Sequence, residues 1–184
     1  KCVKEGLEGI IVKQENGGYR PGIRNYEWIK VKKSIDKELV DTVDMVVVGY
    51  YKGSGRRSSF GLGAILGAIY NEKKDRFDAI CKIGTGMSDE ILTEINSKLE
   101  NILSDQKPKG VEVVDILTPD VWVIPKYVIT VDADEITKRI GEEKIGGGYS
   151  LRFPRLIEWN RDKSANDVTT ISEIEKMFLM RKSI

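Results

Sequence analysis

Apolar residues in this chain fall in short runs, many of them β-branched, separated by glycine, proline and clustered charge. That rhythm predicts strands more often than helices. Residues 9–12 (Gly-Ile-Ile-Val) read as a short buried strand, and Gly17-Gly18 with Arg20-Pro21-Gly22 marks an irregular loop before a second strand over 28–31. The polar stretch 34–38 reads as a hinge. Residues 42–51 are β-branched and aromatic, and 60–70 and 76–83 continue the series as a hairpin meander. The period changes over 88–103, where Ile91, Leu92, Ile95, Leu99, Ile102 and Leu103 share one face. Ser88 can cap that helix, and Asp89 and Glu90 suit its positive end. Residues 121–131 and 149–159 return to strand character. Thr170-Ile171-Ser172-Glu173 is a capping box opening a terminal helix with Ile174, Met177 and Phe178 inward. The fold class is therefore mainly β with helices. Three strands, a helix and two more strands is the order of an OB-fold, a five-stranded, partly open barrel that commonly binds oligonucleotides.

Composition narrows the chemistry. The 184 residues suit one domain, or one domain plus a fragment, and 40% hydrophobic content is enough for a core. Net charge is only +1 with 32% charged residues, so no overall basic field announces nucleic acid. Charge is uneven, however: residues 1–37 hold nine Lys/Arg against five Asp/Glu, and Lys52, Arg56 and Arg57 form a second basic knot among glycines. The absence of histidine excludes His-based acid–base catalysis and Ser-His-Asp triads. With only Cys2 and Cys81 as thiols, it excludes structural zinc as well. Both cysteines read as reduced and partly buried, as in an intracellular protein. No apolar run reaches membrane-spanning length and no signal sequence is visible. Starting at Lys1 and entering an apolar run at once, the chain reads as cut inside a fold.

Three stretches carry possible chemistry. Leu151-Arg152-Phe153-Pro154-Arg155-Leu156-Ile157 runs on to Trp159-Asn160-Arg161-Asp162-Lys163. Proline cannot donate to a ladder, so this segment should be an edge or should bulge near Pro154. Its basic residues then either meet phosphates or merely keep an edge strand soluble. Glu8 stands just ahead of a buried strand, with Gly9 allowing close approach, and a carboxylate so placed can hold a metal. Lys30 and Lys32 alternate onto one strand face, as a phosphate grip or as an ordinary exposed face.

Together and in order, these stretches resemble the covalent nucleotidyltransferases. Glu8-Gly9-Ile10-Ile11-Val12-Lys13 is similar to motif IV and Trp28-Ile29-Lys30-Val31-Lys32 to motif V. Leu151-Arg152-Phe153-Pro154-Arg155 with Asp162-Lys163 resembles motif VI of ATP-dependent DNA ligases of the archaeal and eukaryotic replicative type. Asp44–Gly49, Cys81–Gly86 followed by Ser88-Asp89-Glu90, and Thr169-Thr170 match as well.

The resemblance implies that residues 1–33 close an adenylation domain, 34–37 form the hinge and 38–184 form an OB-fold domain. It implies ATP as cofactor, a divalent metal such as Mg2+ helped by Glu8, and Lys30 and Lys32 on the α-phosphate. Arg152 and Lys163 would close over the β- and γ-phosphates, with Asp162 orienting them. Nicked duplex DNA is the implied substrate, with Arg56 and Arg57 as candidate contacts, and nicks would be sealed in replication, repair and recombination. The family's nucleophilic lysine lies in a Lys-x-Asp-Gly motif that is missing from these residues, so the chain should be inactive without the missing N-terminal portion. A sliding clamp would act through the parent enzyme, which would be cytoplasmic and nucleoid-associated in a prokaryote or nuclear in a eukaryote.

One departure stands out. The family usually has an arginine two residues before the motif VI aspartate, where this chain has Asn160, and a basic residue is common where Glu158 stands. Arg161 comes one position late. Either a bulge returns it to the site or the protein manages with fewer cations. Two other readings stay open: a stand-alone OB module holding single strands on Tyr50, Tyr51 and Trp159, and an RNA ligase or capping-type nucleotidyltransferase. The stretches at 82–86 and 152–155 favour DNA ligase.

Overall fold

Residues 9–13 and 28–32 pair as two antiparallel strands in the computed structural model, which describes residues 9–18, 27–32, 41–139 and 145–180, and Ile10, Ile11 and Val12, expected to be buried, are about half exposed. The chain divides into two compact units, Lys1–Asp36 and Lys37–Ile184. In the first, β1 (Gly9–Lys13) pairs with β2 (Trp28–Lys32), Gly9 opposite Lys32 and Ile11 opposite Lys30. Lys13 closes the hairpin with its ammonium 4.1 Å from the Trp28 ring centroid.

In the second unit, β3 (Val43–Tyr51), β4 (Ala64–Asn71) and β5 (Arg76–Ile83) form the expected meander. There follow α1 (Asp89–Leu99), the short β6 (Leu103–Ser104), β7 (Val111–Glu112) and β8 (Val121–Val123), and β9 (Val128–Asp132). The chain then forms β10 (Glu135–Lys138), β11 (Tyr149–Arg152), β12 (Arg155–Arg161) and α2 (Ile171–Met180). The main sheet runs β12-β9-β3-β4-β5-β7, with β8 also on β3 and β6 on β8. Its five long members and α1 are the OB-fold.

Every residue of β3 is buried, because both faces of the sheet are covered. One face packs Met45, Ile65, Ile69 and Ile83 against Leu92, Ile95 and Leu99 of α1. The other packs Val46, Val48 and Leu66 under the 111–122 segment and Val168. Two-sided burial explains why this strand reads as a continuous apolar run rather than an alternating one.

Two expected strands are broken. The 121–131 stretch splits into β8 and β9 around Pro125, and the 149–159 stretch into β11 and β12 around Phe153-Pro154. Phe153 has a φ of 53°. The break lets the last barrel strand serve two neighbours: β12 pairs with β9, while in β11 the Ser150 hydroxyl donates to the Ile80 carbonyl of β5 at 3.0 Å. Hairpin β10–β11 has no counterpart in the sequence reading. Residues 55–60, partly expected as strand, form a 3-10 turn, and Leu103, expected on the buried helix face, is about half exposed. The terminal capping box forms as expected: the Glu173 amide donates to Thr170 Oγ1 and the Thr170 amide to Glu173 Oε2.

Candidate phosphate-facing site on the broken barrel strand

The basic residues of the β11–β12 segment do not stand free; each has a carboxylate. Arg152 lies 3.6 Å from Glu135 with its guanidinium 5.2 Å from the Phe153 ring centroid, and it stays the most exposed of the set. Arg155 donates to Asp134 at 2.9 Å and to Asp132 at 3.0 Å, and these bonds hold its guanidinium firmly charged. Arg161 donates to Asp44 at 3.2 Å and to the Thr130 hydroxyl at 3.0 Å. Lys163 donates to the other Asp44 oxygen at 2.6 Å. Asp162, between them, is exposed and has no hydrogen bond or ion pair among the described residues.

The departure at Asn160 coincides with a bulge. Asn160 has a φ of 55°, a left-handed conformation that asparagine tolerates better than most residues. The register steps from Glu158 opposite Thr130 to Arg161 opposite Val128, which leaves one extra residue on β12. A first shift, between Leu156 and Glu158, has already reversed the alternation along β12, and the second, at Asn160, reverses it again so that Arg161 faces Asp44.

The stretch at 82–86 supports this segment from below. The Leu156 amide donates to the Thr85 carbonyl at 2.9 Å, and Thr85 Oγ1 donates to the Pro154 carbonyl at 2.9 Å. Thr169 explains its own place in the pattern: its hydroxyl accepts from the Asp44 amide at 2.9 Å, and its amide donates to the Asp44 carbonyl at 3.0 Å.

The remaining candidates fall elsewhere. For Lys30 and Lys32 only the backbone is described, two residues apart on β2, while Glu8 and the hinge at 34–37 lie outside the described residues. Among the described residues no group of three or more His, Cys, Asp or Glu side chains could hold a metal ion. Arg56 is exposed and 2.8 Å from Asp89 at the start of α1. Arg57 is occupied differently, donating to the Gly63 and Gly84 carbonyls at 2.8 and 2.7 Å, so it braces the glycine-rich loop.

Tyr50 and Tyr51 are buried, and the Tyr51 hydroxyl donates to the Leu117 carbonyl at 2.6 Å. Burial, with help from Cys81 and Asp120, pushes its phenol up to about 12. Trp159 packs on Tyr127 at 5.4 Å between ring centroids. A base-stacking platform of these three aromatics is therefore not available. Cys81 is a buried free thiol, pushed upward by desolvation, while Cys2 lies outside the described residues.

A family model described as the ATP dependent DNA ligase C terminal region matches residues 57–163, more than half of the chain. The chain belongs to the ATP-dependent DNA ligase family. A second model, the ATP dependent DNA ligase domain, matches residues 1–32, which contain the stretches similar to motifs IV and V. The chain is 46% identical over 187 residues to the probable DNA ligase of Dictyoglomus turgidum, covering 99% of itself and 32% of that protein. It is 41% identical over 189 residues to the DNA ligase of Ignicoccus hospitalis, covering 98% of itself and 31% of the relative. It thus spans about a third of the length of these curated relatives. Among solved structures, the ligase domain of M. tuberculosis LigD aligns with a TM-score of 0.57 and 26% identity, over 91% of this chain and 48% of that one. The mycobacterial DNA ligase D complexed with ATP and MES shares the fold, with a TM-score of 0.52 and 24% identity over 91% of this chain and 48% of that one.

Within this ligase C-terminal region, sequence reasoning found the cations and missed the anions that hold them. Asp44, Asp132 and Asp134 lie far from motif VI along the chain. A single charge inside the apolar run 43–51 was the available signal for Asp44, since a lone carboxylate in a buried strand needs a partner.

Proposed function

We propose that the protein carrying this chain is an ATP-dependent DNA ligase that seals nicks in duplex DNA through lysyl-AMP and DNA-adenylate intermediates, in replication, repair and recombination. Residues 1–33 are the end of its adenylation domain, 34–37 the hinge and 38–184 the OB-fold domain. Lys30 and Lys32 contact the α-phosphate and stabilise charge on its oxygens. Arg152, Arg161 and Lys163 present positive charge to the outer phosphates of ATP, with Asp162 beside them, and Glu8 is assigned to the divalent metal. When bound, that ion supplies charge neutralisation at the phosphates. Rotation about the hinge brings the OB-fold face to the nucleotide and away again. Nicked duplex meets the OB-fold through phosphate contacts that position without reading sequence, Arg56 among them. Contacts to a sliding clamp are assigned upstream of these residues. We place the enzyme in the cytoplasm with the nucleoid; relatives from Dictyoglomus and Ignicoccus give no support to the nuclear alternative.

The observation that supports this best is the pairing of Arg161 and Lys163 on Asp44 at the end of a strand broken at Pro154, inside residues matched by the ligase C-terminal model. A nucleic-acid-binding module has no need of a half-exposed lysine held so closely, and its stacking aromatics are already packed. The test is incubation with α-labelled ATP and Mg2+. The whole protein should become covalently labelled and this chain alone should not, because no Lys-x-Asp-Gly occurs in it. Label on the isolated chain would refute the assignment of the nucleophile to the missing portion.

A further inference from the structure

We infer that Asp44, on the first barrel strand, is a positioning residue for Lys163: it fixes where motif VI presents its terminal ammonium, and it recruits Arg161 in place of the cation absent at Asn160. The inference rests on the ligase reading above and adds a residue to it.

Asp44 lies in a strand whose every residue is buried and is itself only 8% exposed. A carboxylate there is tolerated only with partners that repay its desolvation. Oδ1 accepts from the Thr130 hydroxyl at 2.8 Å and from Arg161 at 3.2 Å, whereas among the described residues Oδ2 accepts from Lys163 alone. The backbone amide and carbonyl of Asp44 are both bonded to Thr169, and Asp44 sits opposite Thr130 in the β3–β9 register. The carboxylate therefore has a fixed base and a fixed direction.

The cations are less enclosed than the anion. The side chains of Arg161 and Lys163 are each 37% exposed, against 10% for Asp44. An ammonium has three N–H donors, so Lys163 can keep its bond to Asp44 and still offer donors outward. Two cations share the Asp44 carboxylate, and Arg161 has a second, exposed pairing with Glu158 at 4.0 Å, a surface pair weak enough for an incoming phosphate to replace. This arrangement suits an external polyanion. A lysine held this way loses less freedom when it meets a phosphate than one that waves free.

A merely structural clasp between β3, β9 and β12 would use the same bonds, so the test separates the steps of the reaction. The full-length protein is prepared as wild type, Asp44→Asn, Lys163→Met and the double variant. Two rates are measured: formation of enzyme-adenylate from α-labelled ATP, and sealing of a nick that already carries a 5′-adenylate. Asp44→Asn should slow adenylation by about tenfold or more, with a raised KM for ATP, and leave sealing of the adenylated nick within about twofold. In the Lys163→Met background Asp44→Asn should slow adenylation much less than it does in the wild type, the remainder being its effect on Arg161.

Equal losses in both steps, or additive losses in the double variant, would overturn the proposal and leave Asp44 a structural residue. Thr130→Val guards against misfolding of Asp44→Asn, since it is close in shape and removes one hydroxyl while keeping all three charges. It should slow adenylation by about threefold and spare sealing, and unchanged adenylation would count against the proposal. Failure of the wild type to form any adenylate would instead sink the ligase reading, an outcome distinct from all of these.

Discussion

Gly86 has a φ of 83°, and a Cβ built on it would stand 2.2 Å from the Leu156 carbonyl oxygen and 2.7 Å from the Leu156 amide nitrogen. Both the left-handed backbone and the close approach call for glycine. Gly86→Ala should therefore destabilise the OB-fold by about 3 kcal/mol through strain and displacement of β12. Differential scanning calorimetry would show this as a fall in Tm of about 10 °C for a chain of this size, and an unchanged Tm would refute it. The Gly-Thr-Gly run was visible in the sequence, but its reason was not, because the atoms it accommodates lie seventy positions further on. Arg57 makes a similar point. From sequence it stood beside Arg56 as an equal phosphate contact, and its two bonds to backbone carbonyls anchor it to the loop in a way that Arg56 is not anchored.

At the level of elements, the last barrel strand depends on how the turn before it is held. Gly146, Gly147 and Gly148 all have positive φ, and the Gly146 amide donates at 2.9 Å to Asp78, a carboxylate with 0% exposure. Asn71 and Arg76 donate to the same side chain at 2.8 and 2.7 Å. Asp78 thus ties the β4–β5 hairpin to the approach into β11, which carries Arg152. Asp78→Ala would leave Arg76 and the Gly146 amide without their acceptor and should cost about 3–5 kcal/mol, measurable by urea unfolding with CD detection. A loss below about 1 kcal/mol would mean that water replaces the carboxylate at little cost. The positions of β3, β4, β5 and α1 were legible because period and capping are local signals. The breaks at Pro125 and Phe153-Pro154 were half legible: proline announces that a ladder fails, not which neighbours the two halves then join.

Over these 184 residues a net charge of +1 gives no overall attraction to DNA, so the proposed DNA contact rests on local cations. Arg56, with its side chain 85% exposed and held among the described residues by a surface pair with Asp89, is placed to exchange that partner for a phosphate. In the full-length protein, Arg56→Ala should weaken binding to nicked duplex and lower the slope of log K against log salt by about one. Arg57→Ala should act on thermal stability more than on that slope. Fluorescence anisotropy at several salt concentrations checks the first, and a melt checks the second. An unaltered slope for Arg56→Ala would remove it from the interface. The division into Lys1–Asp36 and Lys37–Ile184 concerns connectivity, and closure of one unit on the other belongs to the proposed cycle.

The sequence by itself determined the strand–helix order, the OB-fold class, the exclusion of histidine chemistry and the ligase-like motifs with their cations. All of these depend on local period or on short ordered patterns. Tertiary structure alone decided what each cation is held by. Asp44 meets Lys163 across 119 positions, Asp132 meets Arg155 across 23, and the register shifts along β12, the second of them at Asn160, determine whether Arg161 joins them. The reason is physical: a bulge and a cross-strand pairing are set by register between distant segments, and no local pattern carries that register.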